Sequence, residues 1–324
     1  MASGKLLRQL IRSGMQGDIE KFRMASEAVI KEERDKNHHL LARDLENLLH
    51  IERKIIKDNI GRQQYLPNLP TNKDNGLLLL EERLVMKEEK DIVLSENTKS
   101  SINGIVREHE RADILNSYGM EPVNKLLFYG PPGCGKTLAA EVIAHALSMP
   151  LVLVRLDSII SSFLGETSAN LRKVFDYISS YPVVVLFDEF DALSKDRGDS
   201  ADHGELKRSV NAVLQMMDSY KGDSIIIATT NYETILDKAI WRRFDEIVRF
   251  EMPNLEQIKR LLKLKLSGIP YDFNINHSQI TSLFKGMSHA DIERILKRAI
   301  KEMILSDSNS MQKRHLNVAL AREY

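Results

Sequence analysis

The octapeptide Gly130-Pro131-Pro132-Gly133-Cys134-Gly135-Lys136-Thr137 sits between a short apolar run at 126–129 and an amphipathic stretch at 138–147. Its glycines let successive backbone N–H groups turn toward one point, and a helix beginning there adds the positive end of its dipole. A turn of this kind surrounds an anion of phosphate size. Lys136 is placed to reach the β and γ phosphates of a nucleotide, and the Thr137 hydroxyl to ligate Mg²⁺. At average residue usage a G-x-x-x-x-G-K-[ST] match arises by chance in such a length on the order of 1% of the time. The strand-like run before it and the helical pattern after it lower that figure further. Cys134 is expected to serve through its backbone, since no histidine or other base stands near it in sequence.

Further apolar β-type runs follow at 151–154, 183–187, 225–228 and 247–250, with amphipathic helical segments at 138–147, 170–179 and 205–217 between the earlier ones. Continuous apolar runs alternating with helices predict βαβ crossovers and a parallel sheet buried on both faces, an α/β class of the P-loop NTPase kind. The run at 183–187 ends in Asp188-Glu189-Phe190-Asp191, which delivers carboxylates to the edge where parallel sheets bind ligands. Asp188 is expected to hold Mg²⁺, directly or through water, and Glu189 to polarise an attacking water. An acid pair there favours hydrolysis over transfer to a small acceptor. Asn231, closing the run at 225–228, is read either as orienting the water or sensing the γ-phosphate, or as an ordinary turn residue. After Pro253 the β signal stops, and 255–266, 279–285, 289–305 and 311–321 read as a helical subdomain.

The first 60 residues differ in kind. From 18 to 60 they are rich in Glu, Lys, Arg, Ala and Leu without Pro or Gly, with apolar residues at helical spacing, and predict a small helical domain. His38 and His39 point about 100° apart on a helix and read as solvated residues, not metal ligands. The stretch GRQQYLPNLPTNKDNG at 61–76 breaks every periodicity. The expected organisation is therefore 1–60 as a helical domain for binding a partner or substrate, 61–94 as linker, 95–252 as the large α/β domain and 253–324 as a helical lid.

Composition narrows the function classes. Lysine plus arginine and aspartate plus glutamate both total 46, so the net charge is zero and nucleic acid is disfavoured as a partner. No apolar run approaches the ~20 residues of a membrane span, residues 1–16 lack the apolar core of a secretory signal, and a single cysteine makes no internal disulfide. The expectation is a cytoplasmic protein with no membrane contact.

Taken together, the segment from about Asp91 onward resembles the AAA ATPases (the AAA+ core), most closely the branch of katanin, spastin and the vacuolar-sorting ATPases. GPPGCGKT is similar to the first nucleotide motif of that family, VVVLFDEFD to its second and IIIATTN to its first sensor strand. LDKAIWRRF at 236–244 is similar to its arginine-finger segment, which implies that Arg242 and Arg243 reach the γ-phosphate of a neighbouring subunit. Trp241 stands where that branch often has a third arginine. Ser162-Phe163-Leu164-Gly165-Glu166 resembles the first pore loop, implying that Phe163 and Leu164 grip a polypeptide. Gly286-Met287-Ser288-His289-Ala290-Asp291 resembles the lid motif beside the adenine, with His289 where glycine is usual and Arg294 as a candidate second sensor. Asp91-Ile92-Val93 resembles the segment wrapping the purine from the other side.

The resemblance implies ATP and Mg²⁺ as cofactors and a homo-oligomer, a hexamer, that couples ATP hydrolysis to protein remodelling or unfolding. A competing reading is a nucleotide-dependent scaffold or switch that licenses a separate effector such as a protease. The N-terminal segment is similar to bacterial AAA proteins paired with subtilisin-like proteases in phage defence. No H-E-x-x-H occurs, so proteolysis would come from the partner.

Overall fold

The computed structural model describes residues 24–26, 28–32, 36, 66–73, 76–159, 166–190, 212–231 and 238–322. The chain divides into two compact units, Met1–Tyr65 and Leu66–Tyr324. Within the first, residues 24–26 and 28–32 are helical and bury Ala25, Val29 and Ile30, the spacing of one helix face. The other helices expected over 1–60 lie outside the described residues, as do His38 and His39.

The second unit is built on six strands: β1 (Leu80–Arg83), β2 (Lys125–Tyr129), β3 (Leu151–Val154), β4 (Val184–Phe187), β5 (Ile225–Thr230) and β6 (Glu246–Arg249). They lie in the order β1-β3-β4-β5-β2-β6, all parallel except β1, which runs antiparallel to β3. Every residue of β4 and β5 is buried, whereas the edge strand β6 buries one of its four. This is why the central strands read as unbroken apolar runs and the edges do not.

Alternation along each strand divides two cores. Leu127, Val152, Val185, Phe187 and Ile226 face one layer, closed by α5 (Glu166–Ser180) and the helical stretch 212–219. Leu126, Phe128, Val184, Leu186, Ile225 and Ile227 face the other. There Ile102 and Ile105 of α1 (Glu96–Glu110) pack with Ala139, Ala140 and Ile143 of α3 (Lys136–Leu147). Short helices α2 (Ala112–Ser117), α4 (Leu156–Ile159) and α6 (Lys238–Trp241) complete the connections. The α/β sheet expected from the sequence is the one observed.

Part of the expected linker belongs to this unit. Leu79 and Leu80 are fully buried, and β1 pairs with β3 along its whole length. Upstream, Tyr177 Oη donates to Pro67 O at 3.0 Å and Lys173 Nζ to Thr71 O at 2.9 Å, while Asn72 Nδ2 donates to Ser158 O at 3.2 Å. Prolines remove backbone donors but leave carbonyls; here Pro67 O is met by a side chain of α5 and Pro70 O by the Leu79 N–H at 2.9 Å. Composition marks the end of periodicity there, not the end of packing.

The C-terminal part is helical as expected: α7 (Leu255–Lys265), α8 (Ser278–Ser282), α9 (His289–Leu305) and α10 (Lys313–Ala321) enclose a third core around Leu262, Phe284, Ile292, Ile295 and Leu316. Capping boxes start the two main helices, Asn254 with Gln257 on α7 and Ser288 with Asp291 on α9. Among the described residues no helix is long and apolar enough to cross a membrane.

Candidate functional site

A cleft of about 400 Å³ opens where the loop after β2, the carboxyl ends of β4 and β5, and the start of α9 meet. Two glycines are required by close approach. A Cβ on Gly130 would lie 2.0 Å from Phe250 O, and one on Gly133 would lie 2.5 Å from Ser288 Oγ; both have positive φ, +137° and +72°. The turn thus wedges between the sheet and the lid helix, and Ala290 N–H donates to Gly133 O at 3.0 Å. Gly135 caps α3 from a left-handed conformation and offers no side-chain acceptor, leaving the helix's first N–H groups facing the cleft. Pro131 and Pro132 complete the turn.

Lys136 is 7% exposed, and its Nζ donates to Gly130 O at 2.7 Å, Pro131 O at 2.9 Å and Asn231 Oδ1 at 2.8 Å. Each of these three acceptors is a neutral oxygen. The sequence places Asn231 and Lys136 95 residues apart, and the fold brings them into contact because β2 and β5 are neighbours.

Beside them, Thr137 Oγ1 donates to Asp188, 3.1 Å to Oδ2 and 3.3 Å to Oδ1. Thr229 Oγ1 donates to Asp188 Oδ1 at 2.5 Å and accepts from the Glu189 N–H at 3.2 Å. Thr229 was not singled out by the sequence, which does not show strand register. The register pairs Phe187 with Ala228, so the next step sets Asp188 beside Thr229, on the face that carries α3. Glu189 occupies the left-handed region at φ +50° and lines the cleft, while Phe190 behind it is fully buried, its ring edge-on to Phe187 with centroids 6.2 Å apart. A non-glycine residue held there stores strain, and the buried aromatic pair supplies the packing that holds it.

Cys134 is buried, with Sγ 3.7 Å from Met252 Sδ, and burial pushes its thiol pKa up. A protonated, enclosed thiol is a packing group, in line with the expectation that the backbone matters here. On the lid side, Lys265 pairs with Glu293 at 2.6 Å, and both line the cleft. Nothing in sequence distinguished that pair from other helix-surface charges. Arg294, the candidate second sensor, pairs with Asp291 at 2.8 Å and does not line the cleft. Ser288 donates to Asp291 Oδ2 at 2.7 Å and holds that carboxyl below its ordinary pKa.

Arg242 and Arg243 are not among the residues lining the cleft of their own chain. Arg242 is exposed, whereas Arg243 is one-third exposed and ion-paired with Asp218. Trp241 packs edge-on against Tyr129, with ring centroids 4.9 Å apart, so it anchors this turn to the end of β2. Phe163 and Leu164 lie outside the described residues.

Residues 126–252 match the ATPase family associated with various cellular activities (AAA). An uncharacterized AAA family ATPase of Sinorhizobium fredii is 40% identical over 327 aligned residues, covering 100% of this chain and 96% of that protein. A provisionally named 26S proteasome regulatory subunit homolog of Methanothermobacter marburgensis is 31% identical over 234 residues, 71% of this chain and 62% of its own length. One from Methanocaldococcus jannaschii is 30% identical over 264 residues, 77% of this chain and 71% of that protein.

Proposed function

The chain belongs to the AAA ATPase family, and from that premise we propose that it hydrolyses ATP in the cleft and uses the cycle to remodel or unfold protein chains. The observation that carries the reading is the buried Lys136 ammonium, held only a strand away from the Thr137 and Asp188 pair. An entering γ-phosphate sets its anionic oxygens in place of the carbonyl oxygens that Lys136 now holds, so an ion pair replaces bonds from the ammonium to neutral oxygens. Asn231, released from Lys136, turns its amide toward the same phosphate.

The hydroxyl of Thr137 and the carboxylate of Asp188 are hard oxygen donors 3.1 Å apart, a set that fits Mg²⁺ completed by phosphate and water oxygens. Bound Mg²⁺ would neutralise charge on the phosphate chain. Thr229 keeps Asp188 oriented, and the strained Glu189 presents its carboxylate to a water, accepting its proton as the oxygen attacks the γ-phosphorus and the bond to the bridging oxygen breaks, releasing ADP. Arg242, outside its own cleft, is assigned to the γ-phosphate of a neighbouring subunit in a ring, with Arg243 joining once it leaves Asp218.

The relatives named for proteasome regulation support a protein substrate. Residues 1–60 are assigned to partner or substrate binding, 95–252 to the ATPase domain, 253–324 to the lid, and Phe163 and Leu164 to the pore. The scaffold or switch that licenses a protease is the second reading, and it shares the same ring. Both are tested by Glu189→Gln, which should lower phosphate release by ~10² or more while nucleotide binding persists. Its solution mass should rise to about six subunits with MgATP. Undiminished hydrolysis would remove Glu189 from its role, and a persistent monomer would leave Arg242 without a target.

A further inference from the structure

The chain is neutral as a whole, but its charge is unevenly spread. Residues 95–252 carry 17 Lys and Arg against 23 Asp and Glu, whereas residues 253–324 carry 12 against 7. The same opposition recurs at two exposed apolar turns. Tyr118, 81% exposed, and Leu305, 80% exposed, are the two most exposed large apolar side chains among the described residues. Tyr118 caps α2 between the exposed Ile114 and Met120, and residues 108–121 hold Glu108, Glu110, Asp113 and Glu121 against the single arginine Arg111. Leu305 ends α9 next to the exposed Ile304, and residues 294–301 hold four cations and no acid. Lys297, Lys301, Ile304 and Leu305 recur at i, i+4, i+7 and i+8, the spacing of one helix face. Both turns are pinned. After α2, Gly119 N–H donates to Asn116 O and Met120 N–H to Leu115 O, each at 3.0 Å; after α9, Asp307 N–H donates to Ile304 O and Ser308 N–H to Met303 O, each at 3.1 Å. Left-handed Gly119 and Asp307 close these helix stops. Apolar groups displayed on fixed backbone lose little entropy on docking and gain from leaving water.

We propose that these two turns dock on each other in trans: the end of α9 in one copy of the chain packs Ile304 and Leu305 against Ile114, Tyr118 and Met120 of a second copy, with Lys301 facing Glu110, Asp113 and Glu121. The inference rests on the ring reading and adds the surfaces that build the ring. Charge decides the occupant. A two-fold contact of either turn with itself opposes acid to acid or lysine to lysine, whereas a head-to-tail contact sets opposite signs together. Lys297 is held by Glu293 at 2.8 Å, while Lys301 has no ion pair among the described residues and is the cation left to cross the contact. A head-to-tail contact uses both surfaces of every copy, so it repeats until the chain of copies closes. It is also the sense of contact that Arg242 needs, since that side chain lies outside its own cleft. Neither turn lines the cleft, so assembly can be altered without touching the nucleotide site.

The test is sedimentation of the full chain carrying Glu189→Gln, with MgATP. Tyr118→Asp and Leu305→Asp alter exposed side chains, so each variant should fold and bind ATP as its parent does. Each sets a carboxylate into the apolar contact and should weaken self-association by about 10²-fold or more, leaving monomer. Each variant keeps the surface that the other has lost. An equal mixture should therefore form a species of two subunits and grow no further, a result that a general loss of folding does not produce. Assembly that survives either substitution would overturn the contact, and so would a mixture that stays monomeric. A parent that stays monomeric with MgATP would overturn the ring reading and this contact with it, a result distinct from a ring indifferent to both substitutions.

Discussion

The two ends of the cleft are built on opposite plans. At the sheet edge the polar groups already satisfy one another: Lys136 with Asn231, Thr137 with Asp188, and Asp188 with Thr229. At the lid, His289 is half-buried and neither ring nitrogen has a hydrogen-bond partner. The first end comes from three strand termini locked by register and a turn in which glycine is sterically required, so its geometry is set before any ligand arrives. The second is assembled between a helix start and an extended segment, lined by Ile92, Val93 and Leu261. In the proposed reaction, preorganisation belongs to the end where charge develops, where reorganisation would slow it most.

Three substitutions sharpen this contrast. Lys136→Ala should act on the phosphate end and weaken ATP binding by about 10²-fold in calorimetry. Undiminished affinity would remove Lys136 from the phosphate site. Gly133→Ala attacks the seam between them, since its Cβ would meet Ser288 and Ala290 from a left-handed backbone. Urea unfolding should show a loss of about 1 to 3 kcal/mol. A neutral result would mean that the lid swings clear of the loop at little cost. Smallest is Thr229→Val, which keeps the shape but removes the donor to Asp188. It should lower kcat by about tenfold and leave nucleotide affinity within about threefold. Equal losses in both would make Thr229 a structural residue and not a positioning one.

Legibility in the sequence follows the same division. The strands were readable because the central ones are buried on both faces and so carry unbroken apolar runs, and the phosphate turn because its residue types are dictated by sterics. The lid helices were readable because the β signal stops after Pro253; their caps at Asn254 and Ser288 are seen in the structure. What escaped depends on distant partners. Residues 66–73 lie in a segment whose prolines and asparagines signal a tether, yet Tyr177 and Lys173 of α5 bond to it at Pro67 and Thr71. Thr229 is an unremarkable strand-end residue until the register sets it against Asp188. Lys265 and Glu293 look like any surface pair until the cleft is seen between their helices. In each case the missing information was a neighbour, not a propensity.

The hydrogen bond from Ala290 N–H to Gly133 O has a mechanical meaning. It joins the turn that meets phosphate to the very first turn of a 17-residue helix. At 1.5 Å per residue that helix is a rigid arm of about 25 Å mounted at one end. A tilt of about 10° about its mounting would carry the far end through about 4 Å, a displacement as large as the spacing between adjacent residues of an extended chain. The fulcrum lies at the site of chemistry and the long side of the lever lies away from it, the gearing needed to turn a small local rearrangement into a stroke.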